Sequence, residues 1–141
     1  MDIDWKEVAS YAIILIIVLI AAQHLSVVVS GSMEPTFYRG DIVVLEKADF
    51  FGIHEFDPDT IEVGDVVVYD ATWYDQPVIH RVIGTADING TTMYIIKGDN
   101  NKSPDPYYVT KDQIKEKVVT FGDNLVIIPK IGYLSLWLRG L

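Results

Sequence analysis

The sequence predicts a mostly-β domain carried on an N-terminal transmembrane helix. Three observations predict it. No residue between Glu7 and Glu34 carries a formal charge. Beyond that stretch the apolar residues come in short runs rich in β-branched side chains, the composition of strands. Turn signals built from Gly, Asp, Asn and Pro separate the runs, and the chain's 141 residues leave room for one domain besides the helix.

The helix comes first. Residues 8–29 are 22 positions without Gly or Pro. At about 1.5 Å per residue a helix of that length reaches roughly 33 Å, enough for a hydrocarbon core of about 30 Å. Apolar residues cover every face of the stretch from Tyr11 to Ala22, as lipid requires and a surface helix does not. Asp4 and Glu7, three positions apart, form a capping pair at its start. A cleaved signal peptide is the first competing reading, but Asp2, Asp4 and Glu7 surround a single Lys6 where a basic flank is expected. A buried core helix is the second, and it normally shows a polar face. The short N-terminal end stays in the cytoplasm on this reading, and the acidic remainder lies outside.

The strands follow. Residues 42–45 (IVVL), 66–69 (VVVY), 78–83 (VIHRVI), 93–96 (MYII), 118–121 and 125–128 are strand-sized. Arg39-Gly40-Asp41, Asp57-Pro58-Asp59, Gly64-Asp65, Asn89-Gly90, Gly98-Asp99-Asn100-Asn101 and Gly122-Asp123-Asn124 punctuate them. Residues 86–96, with Asn89-Gly90 at the tip, read as a hairpin. Residues 110–117 read as one or two helical turns, because Asp112, Lys115 and Glu116 recur at helical spacing. In the tail, Tyr133 and Trp137 stand in an apolar segment between Lys130 and Arg139. Two readings of it stay open: a segment lying at the membrane interface, or a last element buried in the domain. The expected division is therefore 1–29 for tail and anchor, 30–128 for the extracytoplasmic β domain, and 129–141 for the apolar end.

Composition excludes several functions. With no cysteine there is no disulfide framework, zinc ribbon or thiol nucleophile. Three histidines are few for a metal cage. A formal net charge of −9 argues against a nucleic-acid partner held through phosphates.

Three polar segments carry the chemistry. Ser30-Gly31-Ser32-Met33-Glu34-Pro35 follows the anchor directly. Its two hydroxyls in a Gly-containing turn are the parts of a serine nucleophile and an oxyanion hole, although such stretches are more often linkers. His80 lies in the strand of residues 78–83, sharing a face with Val82. Imidazole suits a general base at neutral pH, whereas a lone strand histidine is more often structural. His24 ends the anchor and His54 sits in an acidic loop. In the loop after residue 97, Asp99 or Asp105 can orient a histidine, or simply shape a turn.

Taken together, these segments resemble type I signal peptidases. Ser30-Gly31-Ser32-Met33-Glu34-Pro35 right after a membrane segment is similar to that family's nucleophile box. Arg39-Gly40-Asp41, Gly64-Asp65-Val66, His80-Arg81-Val82 and Lys97-Gly98-Asp99-Asn100-Asn101 match its later boxes in order, and Pro129-Lys130-Ile131-Gly132-Tyr133 resembles its carboxyl end. Bacterial members place a lysine base before Arg-Val. His80 in that place resembles the archaeal and endoplasmic-reticulum type, the type of the catalytic subunit of the eukaryotic signal peptidase complex. The resemblance implies a signal-peptidase-like antiparallel β domain in the cell membrane or endoplasmic-reticulum membrane. It implies Ser32 as nucleophile, His80 as general base, and Ser30 with the Ser32 N–H as oxyanion hole. Asp99 and Asp105 match the two aspartates of the last box, with Asp105 favoured as the orienting group and Asp99 as a supporting one. Met33 and nearby strand residues are expected to line shallow pockets for small side chains at the cleavage site. The implied partners are signal peptides of preproteins, the lipid bilayer and accessory membrane subunits, and hydrolysis through an acyl-enzyme needs neither metal nor organic cofactor.

Rival readings remain. Ser32 can pair with Lys97 or Lys47, or the chain is a tethered β domain that binds a partner without catalysis, or a non-catalytic paralogue within a complex. Asn89-Gly90-Thr91 is also a glycosylation sequon.

Overall fold

The computed structural model describes residues 2–129 and 133–140. Helix α1 spans Trp5–Gln23. The Asp4 carboxylate caps it, accepting the N–H groups of Lys6 and Glu7 at 3.0 and 3.4 Å and so satisfying donors that a helix start leaves open. Glu7 turns instead to the Tyr11 hydroxyl one turn on, at 2.8 Å. None of the residues in α1 is buried, and the helix is long and apolar enough to cross a membrane.

The helix is shorter than the expected 8–29. It stops at Gln23 with His24 as its cap, and the chain turns at once into strand β1, Leu25–Val27. The reason is a partner: Leu25, Ser26 and Val27 pair antiparallel with Val44, Val43 and Ile42 of β2, Ile42–Lys47. Val27 is β-branched and stiff at χ1, and the segment gains more from that ladder than from extending a helix. The sheet therefore begins before the expected domain boundary at 29/30.

Strands β3 (Val66–Tyr69), β4 (Val78–Ile88), β5 (Thr91–Lys97), β6 (Val109–Thr110) and β7 (Ile114–Val118) follow. Two short strands, β8 (Thr120–Phe121) and β9 (Asn124–Leu125), make a separate hairpin, and β10 is Ile127–Ile128. Among the described residues the main sheet is antiparallel, in the order β1-β2-β7-β3-β4-β5-β6, with β10 also on β2. The β4–β5 hairpin turns at Asn89-Gly90, whose φ angles of 53° and 80° are those the two-residue turn demands.

Residues 110–117, expected as helical turns, hold only a single 3-10 turn, Lys111–Gln113. From Ile114 the chain is strand β7, because Ile114 and Val118 are buried and the edges of β2 and β3 need a partner between them. Tertiary pairing overrides a weak local period. In the tail, helix α2 covers Tyr133–Leu138, with Leu136 buried and Trp137 and Leu138 exposed. Lys130, Ile131 and Gly132 lie outside the described residues.

Strand β3 explains the core. All four of its residues are buried. Val67 and Tyr69 join one cluster with Val78, Val82, Tyr94, Ile96 and Ile114. Val66 and Val68 join another with Met33, Phe37, Val43, Leu45 and Val118. Strand alternation sends each pair to its own face, so an unbroken apolar run is what a strand covered on both sides requires.

Candidate active site

Ser32 stands in the loop that leaves β1 and returns as β2. The loop is folded tightly by its own backbone: the Thr36 N–H donates to the Met33 carbonyl at 2.8 Å and the Gly40 N–H to the Val28 carbonyl at 2.9 Å. A second loop, after β5, clamps it. The Asn100 N–H donates to the Ser32 carbonyl at 2.8 Å, and the Asn100 side-chain amide to the Gly31 carbonyl at 3.0 Å. His80 is the third residue of β4, on the face of Val78 and Val82.

These elements place a hydroxyl, an imidazole and a carboxylate in line. The Ser32 hydroxyl lies 3.0 Å from His80 Nε2. His80 Nδ1 lies 2.9 and 2.8 Å from the two Asp105 oxygens. A carboxylate only accepts, so Nδ1 carries a proton and Nε2 is left to accept from Ser32. Both partners are shielded, with side-chain exposures of 8% for His80 and 3% for Asp105. Ser30 Oγ is 3.2 Å from Ser32 Oγ, and the Ser32 N–H points to Ser30 Oγ at 3.5 Å. A cleft of about 480 Å³ opens beside Ser32 and His80, walled by Val27, Val29, Trp73 and Ile79. Nucleophile, base and orienting group at hydrogen-bond distances can carry out acyl transfer.

The two aspartates divide the work. Asp105 also accepts the Tyr69 hydroxyl at 2.5 Å; burial first, and then that bond, push the Tyr69 phenol far up, so it stays a donor. Asp99 makes a two-pronged bond with Arg81, Nε and Nη2 each at 2.9 Å, and accepts the Thr36 hydroxyl. The fork geometry of guanidinium suits that pairing. Arg81 also donates to the Gly64 carbonyl at 2.7 Å. Asp99 thus ties together the nucleophile loop, β4 and the turn before β3, without touching His80 in any of these bonds.

Burial alone pushes the Asp99 carboxyl up, but Arg81 and Thr36 outweigh it and hold it below the usual value. The unfolded chain then binds this proton more readily than the folded one, so stability rises with pH. The contribution is full above the ordinary aspartate value of about 3.9 and is lost as pH falls through the depressed one. Unfolding in urea along a pH series should show wild type more stable than Asp99→Asn at neutral pH, with the gap closing below about pH 4.

Met33, expected in a substrate pocket, is only 1% exposed. It packs among Phe37, Val43 and Val66, and its sulfur accepts the Asp99 N–H at 3.4 Å. A flexible thioether fills the space beneath the loop, and the cleft walls fall instead to Val27, Val29, Trp73 and Ile79. The rival lysines are engaged elsewhere: Lys47 Nζ pairs with Glu116 at 3.0 Å and Lys97 Nζ donates to the Gly98 carbonyl at 3.2 Å. His54 bonds the Ala48 carbonyl.

The sequence names Arg81 and Gly98 only as members of matching boxes, without a role, and gives Tyr69 and Thr36 none. Gly98 is required by close approach. A Cβ there would stand 2.7 Å from the Ser32 carbonyl oxygen, 2.6 Å from Asn101 Nδ2 and 3.0 Å from His80 Nε2. Gly98→Ala should push the two loops apart and lower turnover by about a hundredfold, since misplacement by an ångström is enough for that. Circular dichroism should show the β sheet retained.

Residues 3–118 match the family model described as signal peptidase, peptidase S26. An uncharacterised protein of Methanocaldococcus jannaschii is 32% identical, over 89% of this chain and 88% of its own length. The signal peptidase complex catalytic subunit SEC11 of Lachancea thermotolerans is 37% identical over 79% of this chain and 64% of its own. The same subunit of Saccharomyces cerevisiae is 33% identical over 84% and 67%. The chain belongs to the signal peptidase family, peptidase S26. As a member of it, the chain is a serine endopeptidase of the signal peptidase I type.

Proposed function

We propose that the chain is a membrane-anchored endopeptidase that removes N-terminal signal peptides from preproteins and cuts after small residues. The observation that carries this reading is the Ser32–His80–Asp105 line, only nine residues beyond an apolar helix. A signal peptide is itself a short apolar segment followed by small residues at its cleavage site. A nucleophile just past the enzyme's own membrane helix sits at the depth where that site emerges, which concentrates substrate and catalyst in one layer.

Ser32 Oγ attacks the scissile carbonyl while His80 Nε2 takes its proton. The Ser32 N–H and the Ser30 hydroxyl donate to the oxyanion. The imidazolium, held by Asp105, passes the proton to the leaving amine, and the mature protein departs. Water then gives a proton to the same nitrogen and attacks the acyl ester, releasing the signal peptide and restoring the Ser32 hydroxyl. Shallow apolar walls at the cleft admit small side chains beside the scissile bond. The N-terminus faces the cytoplasm and the β domain the other side. The name of the SEC11 relatives supports accessory membrane subunits as partners.

The test is cleavage of a preprotein by the full chain in proteoliposomes, with the new N-terminus sequenced. One cut after a small residue at the end of the apolar segment is expected. Failure to cut, even with native membranes supplied, would leave a tethered binding domain as the better account.

A further inference from the structure

The membrane end of the domain carries a second apolar feature. Strand β2 runs antiparallel to β1 and so returns towards α1; the Leu45 N–H donates to the His24 carbonyl at 2.7 Å. The loop that follows is a miniature hairpin. Phe50 and Ile53 exchange two backbone hydrogen bonds of 2.8 and 2.9 Å, and Asp49 accepts the Gly52 N–H at 2.7 Å. Between them Phe51 and Gly52 have φ angles of 50° and 85°. Phe51 is 86% exposed and Ile53 62%.

That arrangement is unfavourable on two counts. A bulky aromatic residue rarely takes the left-handed conformation, and a solvated phenyl ring forgoes its burial. Strain held at an exposed position points to a use for the ring.

The loop is also fastened to the helix end. His24 Nε2 lies 2.8 and 2.9 Å from the two Glu55 oxygens, and its Nδ1 lies 2.8 Å from the Ile20 carbonyl oxygen. Glu55 in turn accepts the Lys47 N–H at 2.7 Å. The Phe50 ring meets His24 edge-on at 4.8 Å, and Phe51 meets Phe50 at 4.9 Å. Phe51 is therefore two ring contacts from the residue that caps α1.

We propose that Phe51 and Ile53 dip into the bilayer surface beside α1 and, with the His24–Glu55 link, fix the height and tilt of the active site above the membrane. This rests on the reading that α1 spans the bilayer. Nineteen residues at about 1.5 Å each reach about 28 Å, nearly the hydrocarbon thickness of about 30 Å. His24 then lies at the interface, where aromatic and aliphatic side chains partition favourably. Asp49 and Glu55 hold the loop, and Asp57 and Asp59 follow it in sequence, so insertion is apolar and does not depend on anionic lipid.

The absence of native cysteine makes the test clean. Single cysteines at Phe51→Cys, Ile53→Cys, Ile14→Cys within α1 and Thr92→Cys on the far β4–β5 hairpin each carry an environment-sensitive fluorophore. The full chain is placed in phosphatidylcholine vesicles containing acyl-chain quenchers. Quenching at positions 14, 51 and 53 but not 92 is expected. Quenching at 14 alone overturns the inference and leaves the anchor intact, whereas no quenching at 14 removes the anchor and the inference together. Quenching at 51 and 53 only when other membrane proteins are supplied assigns the loop to a protein partner and overturns the inference. A second variant guards against insertion driven by the dye. Phe51→Asn suits the left-handed conformation, so folding is retained. It should lower cleavage of a bilayer-embedded preprotein by about fivefold or more, the effect expected for losing one buried apolar group, with turnover of a short soluble peptide unchanged. Equal loss on both substrates, or on neither, contradicts the proposal.

Discussion

Replacing Ser32 or His80 by alanine should reduce preprotein cleavage by at least about a thousandfold, the scale on which triad members act. The loss should appear in kcat more than in KM, because neither side chain is needed to seat the substrate's apolar segment. The double variant should be little worse than either single one. Ser32 Oγ and His80 Nε2 lie 3.0 Å apart; in the proposed mechanism they act as one unit that transfers one proton, and removing half of such a unit disables it. Both variants should keep the wild-type fold, since Ser32 is only half-buried and β4 keeps its pairing with β3. If Lys97→Ala abolished cleavage instead, the base would have to be sought there.

Asp105→Asn should be nearly as damaging, by about a thousandfold to ten-thousandfold, as when the carboxylate of a serine triad becomes an amide. The amide can donate to Nδ1 and so favour the imidazole tautomer that holds its proton on Nε2, where it cannot accept from Ser32. It also leaves the imidazolium of the transition state without its counter-charge. Asp99→Asn makes the informative comparison. Asp99 binds Arg81 and Thr36, so its loss should weaken the structure in the manner of a broken two-pronged ion pair and lower cleavage far less. Measuring kcat/KM and unfolding side by side separates the two: Asp105→Asn should mainly strike the rate and Asp99→Asn mainly the stability. Equal rate losses would contradict the division between them.

Much of this was legible in the sequence. The β-branched runs gave β3 with its observed bounds, and Asn89-Gly90 marked the β4–β5 turn, because those signals are local. Strand β1 was not legible. Leu25–Val27 continues an apolar helix in sequence, and only pairing with Ile42–Val44 makes it a strand. Strand β7 was hidden in the same way, its charged positions falling at helical spacing while Ile114 and Val118 point inward. For the site, residue types and order indicated Ser32, His80 and the two aspartates, but not which aspartate meets the imidazole; that depends on how the loop after β5 folds back. Met33 misled because an apolar residue beside a nucleophile reads as a pocket wall, when its side chain supports the loop from below. Tyr69 had a signal that went unused: a tyrosine ending a wholly apolar strand needs a partner for its hydroxyl, and that partner is Asp105.

Covalent capture decides whether Ser32, activated by His80, is the nucleophile. The full chain in detergent is treated with a serine-directed acylating probe, then weighed intact and after digestion. A single adduct on the peptide containing Ser32 is expected, absent from Ser32→Ala and strongly slowed in His80→Ala. An adduct on another residue, labelling that survives Ser32→Ala, or an unlabelled chain that still cleaves preprotein would contradict it.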